Sequence, residues 1–470
     1  MKIDIKTIDK FKDQCGVFGI YSKIGDNCET GRITYFALYA LQHRGQESCG
    51  IAVGANRKII YHKDMGLVPE VFGEEVLQHL KGRMAIGHVR YSTTGASLRE
   101  NAQPLVMSYS AGQIALAHNG NLVNTQKLRR ALEEKGDIFQ TTIDTEVILK
   151  LFFRYYSSGM GIDDSLIKLM HDIKGSYALV MLTSEYLVGV RDPYGIRPLC
   201  LGKIEEDEAY VLASESCALD AVNARFIRDI EPGEIIMIGQ EGIKSLHCGQ
   251  KTDAKLCVFE YIYFARPDSI IDGASVYNAR IEAGRRLATE HPVKADMIIG
   301  VPDSGVAPAI GYSMESGIPY GNGLLKNIYV GRTFIQPNQK QRDDSVRVKF
   351  NPLRSEIEGK RIVMIDDSIV RGTTTRRIVR MLKDAGAKEV HVRISSPPVK
   401  YPCHFGIDTP SRNQLVASIL PIEEIRQMIE ADSLGYLSLE GLLKTPIGVR
   451  CGLCTGCFNG RYPIEITEDQ

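Results

Sequence analysis

The chain has 470 residues, of which 44% are hydrophobic, and its 57 basic and 57 acidic side chains leave a formal net charge of zero. At roughly 100–200 residues per domain, this length predicts two to four domains with ample core. The charge balance argues against nucleic-acid or anionic-membrane partners. No apolar run approaches the 18 or so residues that a membrane-spanning helix needs. Eleven irregularly spaced cysteines favour reduced thiols, metal ligands or catalysis, so we expect a cytoplasmic protein.

Cys15 follows a short leader and begins a Gly-punctuated apolar strand. Residues 1–14 alternate charged and single apolar side chains and lack the hydrophobic core of a secretory signal. A buried structural cysteine is one interpretation. Removal of the leader as a propeptide would instead give Cys15 a free α-amine with a pKa of about 7.7–8.0, which suits a general base at neutral pH. One residue would then supply both the nucleophile and its base.

Polar segments downstream contain groups that could hold an amino-acid substrate. Residues 41–48 close a helical stretch on a polar turn, and Arg90 stands beside hydroxyl groups where its guanidinium could bind a carboxylate as a fork. Asp144 opens a predicted helix and could offer its carboxylate to an α-ammonium group. Each segment alone is compatible with a capped turn. Their order after a near-terminal cysteine favours a site.

A strand predicted at Ile114–Ala117 is followed by Asn119 and Gly120. An Asn amide together with a Gly N–H makes a workable oxyanion hole, because glycine lets the backbone approach the substrate closely. This pair completes the set of groups that glutamine hydrolysis requires.

These motifs, in this order, resemble the class II, or N-terminal-nucleophile, glutamine amidotransferase domain. The resemblance covers residues 15–240 and implies a glutaminase sandwich with αββα layers. The roles that it implies are nucleophile for Cys15, glutamine-carboxylate ligand for Arg90, oxyanion hole for Asn119 with Gly120, and glutamine-amine ligand for Asp144.

The second half begins after residues 241–256, a polar stretch predicted as a linker. Strand–helix alternation from Asp296 to Ser396 predicts a mostly parallel sheet with helices on its faces. Within it, a small-residue turn at Pro302–Ala307 can present backbone N–H groups to a pyrophosphate. The basic residues in 326–349 indicate either a solvated loop or a mobile lid that neutralises charge and excludes water.

Arg361–Thr375, reading RIVMIDDSIVRGTTT, combines a buried strand, two carboxylates, a hydroxyl- and Gly-rich loop and a helix start. Loop N–H groups, threonine hydroxyls and the helix dipole can bind phosphate. Asp366 and Asp367 cannot, so they should bind a ribose diol or Mg²⁺. A plain strand–turn–helix with a capping acidic pair is the alternative, but the polar stretch is longer than capping requires.

This stretch resembles the phosphoribosyl-pyrophosphate (PRPP) binding motif of type I phosphoribosyltransferases. The resemblance implies an α/β domain with a parallel sheet over residues 257–430. It implies that Asp366 and Asp367 bind the ribose hydroxyls, and that Mg²⁺ is held there with Ser304. The residues implied to cradle the 5′-phosphate are Ser368, Arg371, Gly372, Thr373 and Thr374.

Joined in this order, the two halves resemble the family of amidotransferases that use both glutamine and PRPP. The resemblance rests on the segments EYIYFARPDS, KNIYVGRTFIQP and VMIDDSIVRGTTT. The implied reaction releases ammonia from glutamine at Cys15 and carries it internally to attack C1 of PRPP. Pyrophosphate leaves, giving 5-phosphoribosylamine, the first committed intermediate of purine synthesis. The resemblance also implies a homotetramer and feedback inhibition by purine nucleotides.

The cysteines near the C-terminus predict a metal centre. Residues 451–457, CGLCTGC, contain two overlapping CxxC spacings, which need more distant thiolates to close a site. Resemblance to the propeptide-processed, cluster-containing subtype implies a [4Fe–4S] cluster that ties residues 431–470 to the second domain. A Zn²⁺ in the same four-thiolate cage is the alternative, and Cys248 and Cys451 are nearby spare thiols. The implied ligands are Cys257, Cys403, Cys454 and Cys457.

Two other functions compete with this hypothesis. A regulatory protein could keep a non-catalytic phosphoribosyltransferase fold only to sense PRPP or purines, but it would not need the glutaminase residues. The amidotransferases that make glucosamine 6-phosphate share the N-terminal half, but they would carry sugar-isomerase repeats in place of Arg361–Thr375.

Overall fold

The computed structural model describes residues 15–55, 58–91, 97–109, 112–327, 350–409 and 411–466. The predicted propeptide, residues 1–14, lies outside the described residues. So do residues 328–349 of the predicted basic segment 326–349. In the described part of the chain, no helix is both long and apolar enough to cross a bilayer.

The first domain is built from antiparallel strands in two stacked sheets. In chain order the strands are β1 (Gly16–Ser22), β2 (Ser48–Ala55), β3 (Lys58–Met65), β4 (Met84–Arg90), β5 (Leu105–Tyr109), β6 (Gly112–Leu122), β7 (Gly175–Leu182), β8 (Leu187–Arg191), β9 (Cys200–Ile204), β10 (Ala209–Ala213), β11 (Arg225–Asp229), β12 (Glu234–Gly239) and β13 (Gly242–His247). Among the described residues, one sheet has the order β11-β9-β10-β1-β4-β2-β3 and the other β13-β12-β8-β7-β6-β5.

Helices cover the outer faces of both sheets. They are α1 (Thr30–Ala40), α2 (Val68–Val71), α3 (Glu74–His79), α4 (Thr125–Glu133), α5 (Asp144–Ser157), α6 (Ile162–Asp172) and α7 (Ser216–Ala221), with a 3₁₀ turn at Arg99–Asn101. Strand β1 shows why the layers form, because its side chains alternate between faces. Val17 and Tyr21 enter the core between the sheets, whereas Phe18 and Ile20 pack in the core that includes α1. The predicted αββα sandwich is confirmed.

Two strands of this domain differ from the sequence prediction. Strand β6 was expected to end at Ala117, but it continues to Leu122 because it pairs with β7 along that length. Residues 241–256 were expected to be a linker, but Gly242–His247 form β13, paired with β12 at the sheet edge. An edge strand with one solvent face carries polar side chains, so its composition resembles that of a loop.

The second domain is centred on a parallel sheet of order β17-β20-β21-β22 in the described residues. Its strands are β17 (Met297–Gly300), β20 (Arg361–Asp366), β21 (Glu389–Ile394) and β22 (Ser433–Tyr436). The parallel α/β prediction is confirmed. The domain was predicted to end at residue 430, and the sheet extends past that residue, because β22 pairs in parallel with β21.

Helices and short strand pairs surround this sheet. The helices are α8 (Val276–Glu290), α9 (Val306–Ser316), α10 (Arg354–Ile357), α11 (Thr373–Asp384), α12 (Val416–Ile419), α13 (Ile422–Met428), α14 (Leu439–Leu443) and α15 (Gly456–Asn459), with a π-helical turn at Glu260–Phe264 and a 3₁₀ turn at Arg412–Gln414. The short strands are β14 (Lys255–Cys257), β15 (Ile270–Ile271), β16 (Ala274–Ser275), β18 (Leu324–Lys326), β19 (Phe350–Pro352) and β23 (Gly452–Cys454). Strand β23 pairs in parallel with β14, so the C-terminal segment returns to the start of the second domain.

Candidate active sites

Cys15 lies buried at the start of β1, and its Sγ is 3.5 Å from the carbonyl oxygen of Tyr91. Burial raises the pKa of the thiol, while a hydrogen bond from the Tyr91 backbone and the positive charge of Arg90 partly oppose that shift. Arg90 is itself buried, at the end of β4, with Glu47 3.8 Å from its guanidinium. The thiol therefore needs a base to become a thiolate at neutral pH.

Asp144 is the buried first residue of α5 and lies beside the end of β6. The Leu122 N–H donates to its Oδ2 at 3.1 Å, and His118 Nδ1 is 3.3 Å from its Oδ1. Burial alone would raise the pKa of this carboxyl, but His118 and the Leu122 N–H more than offset it and hold the pKa below its usual range. A carboxylate at this position can bind an ammonium group. The charges of Arg90 and Asp144 both act on the Cys15 thiol, the first lowering its pKa and the second raising it.

Asn119 and Gly120 lie inside β6 rather than after it, opposite Ala178 and Tyr177 of β7. Asn119 is buried, and its Nδ2 has no hydrogen-bond partner among the described residues. Gly120 has φ +148°, and an added Cβ would lie 2.0 Å from the Ser176 carbonyl oxygen. A glycine is therefore required here, and an unsatisfied buried amide beside it is what an oxyanion hole presents before substrate binds.

A buried ionic network next to Cys15 was missed in the sequence. Arg44 Nε donates to the Cys15 carbonyl oxygen at 3.1 Å, and its Nη2 donates to Glu260 in the second domain at 2.8 Å. The same guanidinium bonds to Glu215, which also accepts from His43 Nε2 at 2.7 Å. These charges hold the pKa of Glu215 well below its usual range despite its burial. A charged residue inside an apolar run, such as Glu260 in residues 257–265, is the signal that could have indicated a buried partner.

Asp366 and Asp367 are buried where β20 ends. Ser304, from the turn after the neighbouring strand β17, donates from Oγ to Asp367 Oδ1 at 2.6 Å. Ser368 Oγ donates to Asp367 Oδ2 at 2.5 Å, and the Asp367 N–H donates to Asp366 Oδ1 at 2.9 Å. Carboxylate and hydroxyl oxygens are the donors that Mg²⁺ prefers. The donor set therefore fits that ion.

The turn that leads from Asp367 into α11 has the geometry of a phosphate site. Gly372 precedes α11 with φ +83°, a conformation that side-chain-bearing residues rarely adopt. Thr373 and Thr374 form the first turn of the helix and are half-buried. Arg371 is held by Gln414, with Nη2 2.7 Å from Oε1. Backbone N–H groups at a helix N-terminus, with hydroxyls beside them, can bind an anion.

Two further features of this edge were missed. Ser395 and Ser396 follow β21, the Ser395 N–H donates to the Asp366 carbonyl oxygen at 2.9 Å, and the buried Ser396 Oγ has no partner among the described residues. Arg280 is buried on α8, and its charge is close enough to interact with Asp367. Ser395 and Ser396 could have been predicted, because they are hydroxyl residues at the end of a third parallel strand. Arg280 could not, because nothing in the sequence pattern of α8 distinguishes it from a surface arginine.

The four cysteines predicted as cluster ligands lie in one region. Cys257 and Cys454 are paired across β14 and β23, and Cys457 and Cys403 pack in the same apolar core. Burial raises the pKa of all four thiols. All eleven cysteines of the chain are free thiols. Among the described residues, no group of three or more His, Cys, Asp or Glu side chains is arranged to hold a metal ion.

The two spare cysteines lie elsewhere. Cys248 packs in a core of the first domain, and Cys451 donates from Sγ to Asp272 Oδ2 at 3.6 Å.

Two protein-family models match the chain, one within each of the two domains of the fold. Residues 88–221 match the family model described as a glutamine amidotransferase domain, and residues 278–395 match the phosphoribosyl transferase domain.

Relatives that match along nearly the whole chain include several amidophosphoribosyltransferases. The chain is 52% identical to the amidophosphoribosyltransferase of Synechocystis sp. over 98% of this chain and 93% of that protein. It is 51% identical to the amidophosphoribosyltransferase of Archaeoglobus fulgidus, over 97% and 99% of the two chains. It is 50% identical to that of Bacillus subtilis, over 98% and 96%.

Solved structures agree with these relatives. One, described as the allosteric regulatory enzyme of purine biosynthesis, is similar with a TM-score of 0.90 and 50% identity over 97% of both chains. Another, glutamine PRPP amidotransferase from B. subtilis complexed with ADP and GMP, is similar with a TM-score of 0.90 and 49% identity over 97% of this chain and 99% of that one.

Proposed function

The chain belongs to the amidophosphoribosyltransferase family, and from this premise we propose that it transfers the amide nitrogen of glutamine to C1 of PRPP. The products are glutamate, pyrophosphate and 5-phosphoribosylamine, for purine nucleotide synthesis. The observation that carries the proposal is the full-length similarity to enzymes of this name, in a chain that contains both candidate sites.

Glutamine is held and cleaved in the first domain. Arg90 binds its α-carboxylate and Asp144 its α-ammonium group, which brings the amide carbon to Cys15. The Cys15 sulfur attacks that carbon, and Asn119 Nδ2 with the Gly120 N–H stabilises the oxyanion. Because burial raises the pKa of the thiol, a base is required. The α-amine of Cys15, released by removal of residues 1–14, is that base.

PRPP is held at the carboxyl edge of the parallel sheet. Asp366 and Asp367 bind the ribose hydroxyls, and the turn through Gly372 with the start of α11 binds the 5′-phosphate. Asp366, Asp367 and Ser304 would hold Mg²⁺, which would supply positive charge beside the departing pyrophosphate. The carboxylates also favour the positive charge that develops at C1 as the bond to pyrophosphate breaks.

We propose a [4Fe–4S] cluster bound by Cys257, Cys403, Cys454 and Cys457. Four unpaired thiols that pack in one buried region support the assignment. Anaerobic purification followed by iron and sulfide analysis, with the mass of the N-terminal peptide, tests the cluster and the propeptide together. About four iron atoms per chain and a terminus at Cys15 are expected. Zinc would contradict the cluster, and a retained Met1 would contradict the processed nucleophile.

Regulation and assembly are proposed from the relatives. The B. subtilis enzyme whose structure is similar was solved with ADP and GMP, and we propose that purine nucleotides inhibit this chain and that it forms a homotetramer in the cytoplasm. Analytical ultracentrifugation with and without GMP, combined with activity measurements, tests both. A monomer or an activity indifferent to nucleotides would contradict them.

The competing function is a regulatory protein that binds PRPP without turning it over. Incubation with glutamine, PRPP and Mg²⁺ distinguishes the two, because the proposed enzyme releases glutamate and pyrophosphate in equal amounts. Binding of PRPP with no pyrophosphate released would support the sensor instead.

A further inference from the structure

The segment Cys403–Gly406 of the second domain lies directly behind the strand that carries Asn119 and Gly120. Asn121 Nδ2 donates to the His404 carbonyl oxygen at 2.9 Å. Ser176 Oγ, from the strand paired with β6, donates to the Phe405 carbonyl oxygen at 2.8 Å. Two hydrogen bonds thus join β6 and β7 of one domain to a short backbone segment of the other.

The contact is close at Gly406. Its φ is +92°, and an added Cβ would lie 3.0 Å from the Gly120 carbonyl carbon and 3.2 Å from its oxygen. The same Cβ would lie 2.8 Å from Arg197 Nη2, which donates to the Phe405 carbonyl oxygen. The backbone of Gly406 therefore packs directly on the backbone of Gly120, the residue whose N–H would stabilise the oxyanion. No side chain lies between them, so a shift of Gly406 would shift the Gly120 peptide as well.

Burial fixes the segment in this position. The Phe405 side chain is 2% exposed, in a core that it shares with Val123 and Ile196 of the first domain. Tyr462 packs edge-on against the Phe405 ring and donates from its hydroxyl to the Pro402 carbonyl oxygen at 2.6 Å. The segment is thus held from both sides and can serve as a rigid support.

We propose that the Cys403–Gly406 segment is a positioning element for the oxyanion hole, so that the glutaminase site is completed by the second domain. The Phe405 carbonyl group and the bare Cα of Gly406 set the depth at which the Gly120 peptide lies. Oxyanion donors act only within a few tenths of an ångström of their position. This inference rests on the proposed glutaminase reaction.

The test compares three variants of the full chain. Gly406→Ala adds a Cβ against Gly120, and Ser176→Ala removes one donor to Phe405 without altering the segment. Gly359→Ala is the matched control, because Gly359 also has a positive φ (+73°) but its added Cβ meets nothing within 4 Å. For each we would measure kcat with glutamine, kcat with added ammonia, and the affinity for glutamate γ-semialdehyde. That aldehyde forms a tetrahedral adduct with a thiol and so reports on the oxyanion hole.

Gly406→Ala should lower kcat with glutamine by roughly 10- to 100-fold, and Ser176→Ala by about three- to tenfold, relative to the control. The affinity for the aldehyde should fall by the same factors, while the affinity for glutamate and the ammonia-dependent rate stay within about twofold. Equal loss of both activities, or a glutamine kcat within about twofold of the control, would overturn the proposal. A wild-type chain that makes no product from glutamine would instead overturn the proposed function, before any variant is tested.

Discussion

The two half-reactions can be separated by substitution, because the residues proposed to contact glutamine and those proposed to contact PRPP lie in different domains. Cys15 is the only candidate nucleophile among the residues assigned to glutamine. Cys15 is buried and its thiol is influenced by the charges of Arg90 and Asp144, whereas Asp366 and Asp367 lie where strand β20 of the other domain ends. Substitutions at the two sites should therefore have complementary effects.

Cys15→Ser should lower glutamine-dependent synthesis by at least about 1000-fold, because a serine hydroxyl in a buried site is a much weaker nucleophile than a thiolate. Synthesis from added ammonia should remain close to wild type. Steady-state rates with each nitrogen donor check the prediction. Loss of both activities would show that Cys15 has a structural role.

The double variant Asp366→Ala, Asp367→Ala should remove PRPP turnover, because both the ribose contacts and the proposed Mg²⁺ donors are lost. Some glutaminase activity should remain. Isothermal titration with PRPP and Mg²⁺ is the measurement, with glutamate release as the control for folding. Unchanged PRPP affinity would contradict the assignment.

The sequence predicts a site residue well when its partners are close to it in the chain, and poorly when they are distant. Asp366, Asp367 and Gly372 are contiguous, so their common turn was readable from the pattern. Ser304 was predicted from family resemblance, and the structure places it against Asp367. The bond between Arg44 and Glu260 joins residues 216 positions apart, and no local pattern predicts such a pair.

At the scale of elements, apolar pattern predicted the buried strands and not the exposed ones. Strand β20 and helix α11 match their prediction, with Ile378, Val379 and Leu382 buried. Strand β13 was missed because four of its six residues are exposed, and β6 was predicted too short because its polar end is held by pairing with β7. Strand pairing is a long-range property that composition does not encode.

Gly372→Ala should raise the KM for PRPP by about tenfold, because alanine disfavours φ +83° and the turn presents N–H groups to the phosphate. The added Cβ would also lie 2.5 Å from Met428 Cε. The control is Gly317→Ala, since Gly317 has φ +71° at the end of α9 and open space around it. Steady-state kinetics with both variants check this, and an equal KM in the two would contradict the phosphate role.

At the scale of the whole molecule, the C-terminal segment links the two domains through a network of charged residues, here called the clamp: Arg191, Asp229, Asp272 and Arg450. Arg450 Nη2 is 2.6 Å from Asp229 Oδ2 in the first domain, and the Arg450 N–H donates to the Asp272 carbonyl oxygen at 3.0 Å. Asp272 in turn binds Arg191 through both carboxylate oxygens, at 2.9 and 2.7 Å. This clamp could not be read from the sequence, since its charges come from four separate segments.

The clamp predicts a pH dependence of stability. Burial, and then repulsion from Asp272, raises the pKa of Asp229 to about 6, above its value of about 3.9 in an unfolded chain. The folded state thus binds more protons between these values, so this contribution to stability is full below about pH 4 and is lost as the pH rises through about 6. The size of the loss is about 2–3 kcal/mol.

Asp229→Asn should therefore gain stability relative to wild type as the pH rises from about 4 to 7. Melting temperatures of the two proteins across this range provide the measurement. Asp253→Asn is the control for the loss of a carboxylate, because the Asp253 side chain is 82% exposed. A constant difference for Asp229→Asn would contradict the raised pKa.

The central claim is that one chain moves nitrogen from glutamine to PRPP, and an isotope measurement tests it most directly. The processed protein would be given glutamine labelled with ¹⁵N in its amide, together with PRPP, Mg²⁺ and unlabelled ammonium at a concentration too low to support measurable synthesis without glutamine. The account predicts that phosphoribosylamine carries the label, with one glutamate and one pyrophosphate formed for each product. Unlabelled product would show that nitrogen comes from solution, and PRPP left intact while glutamine is hydrolysed would contradict the transfer altogether.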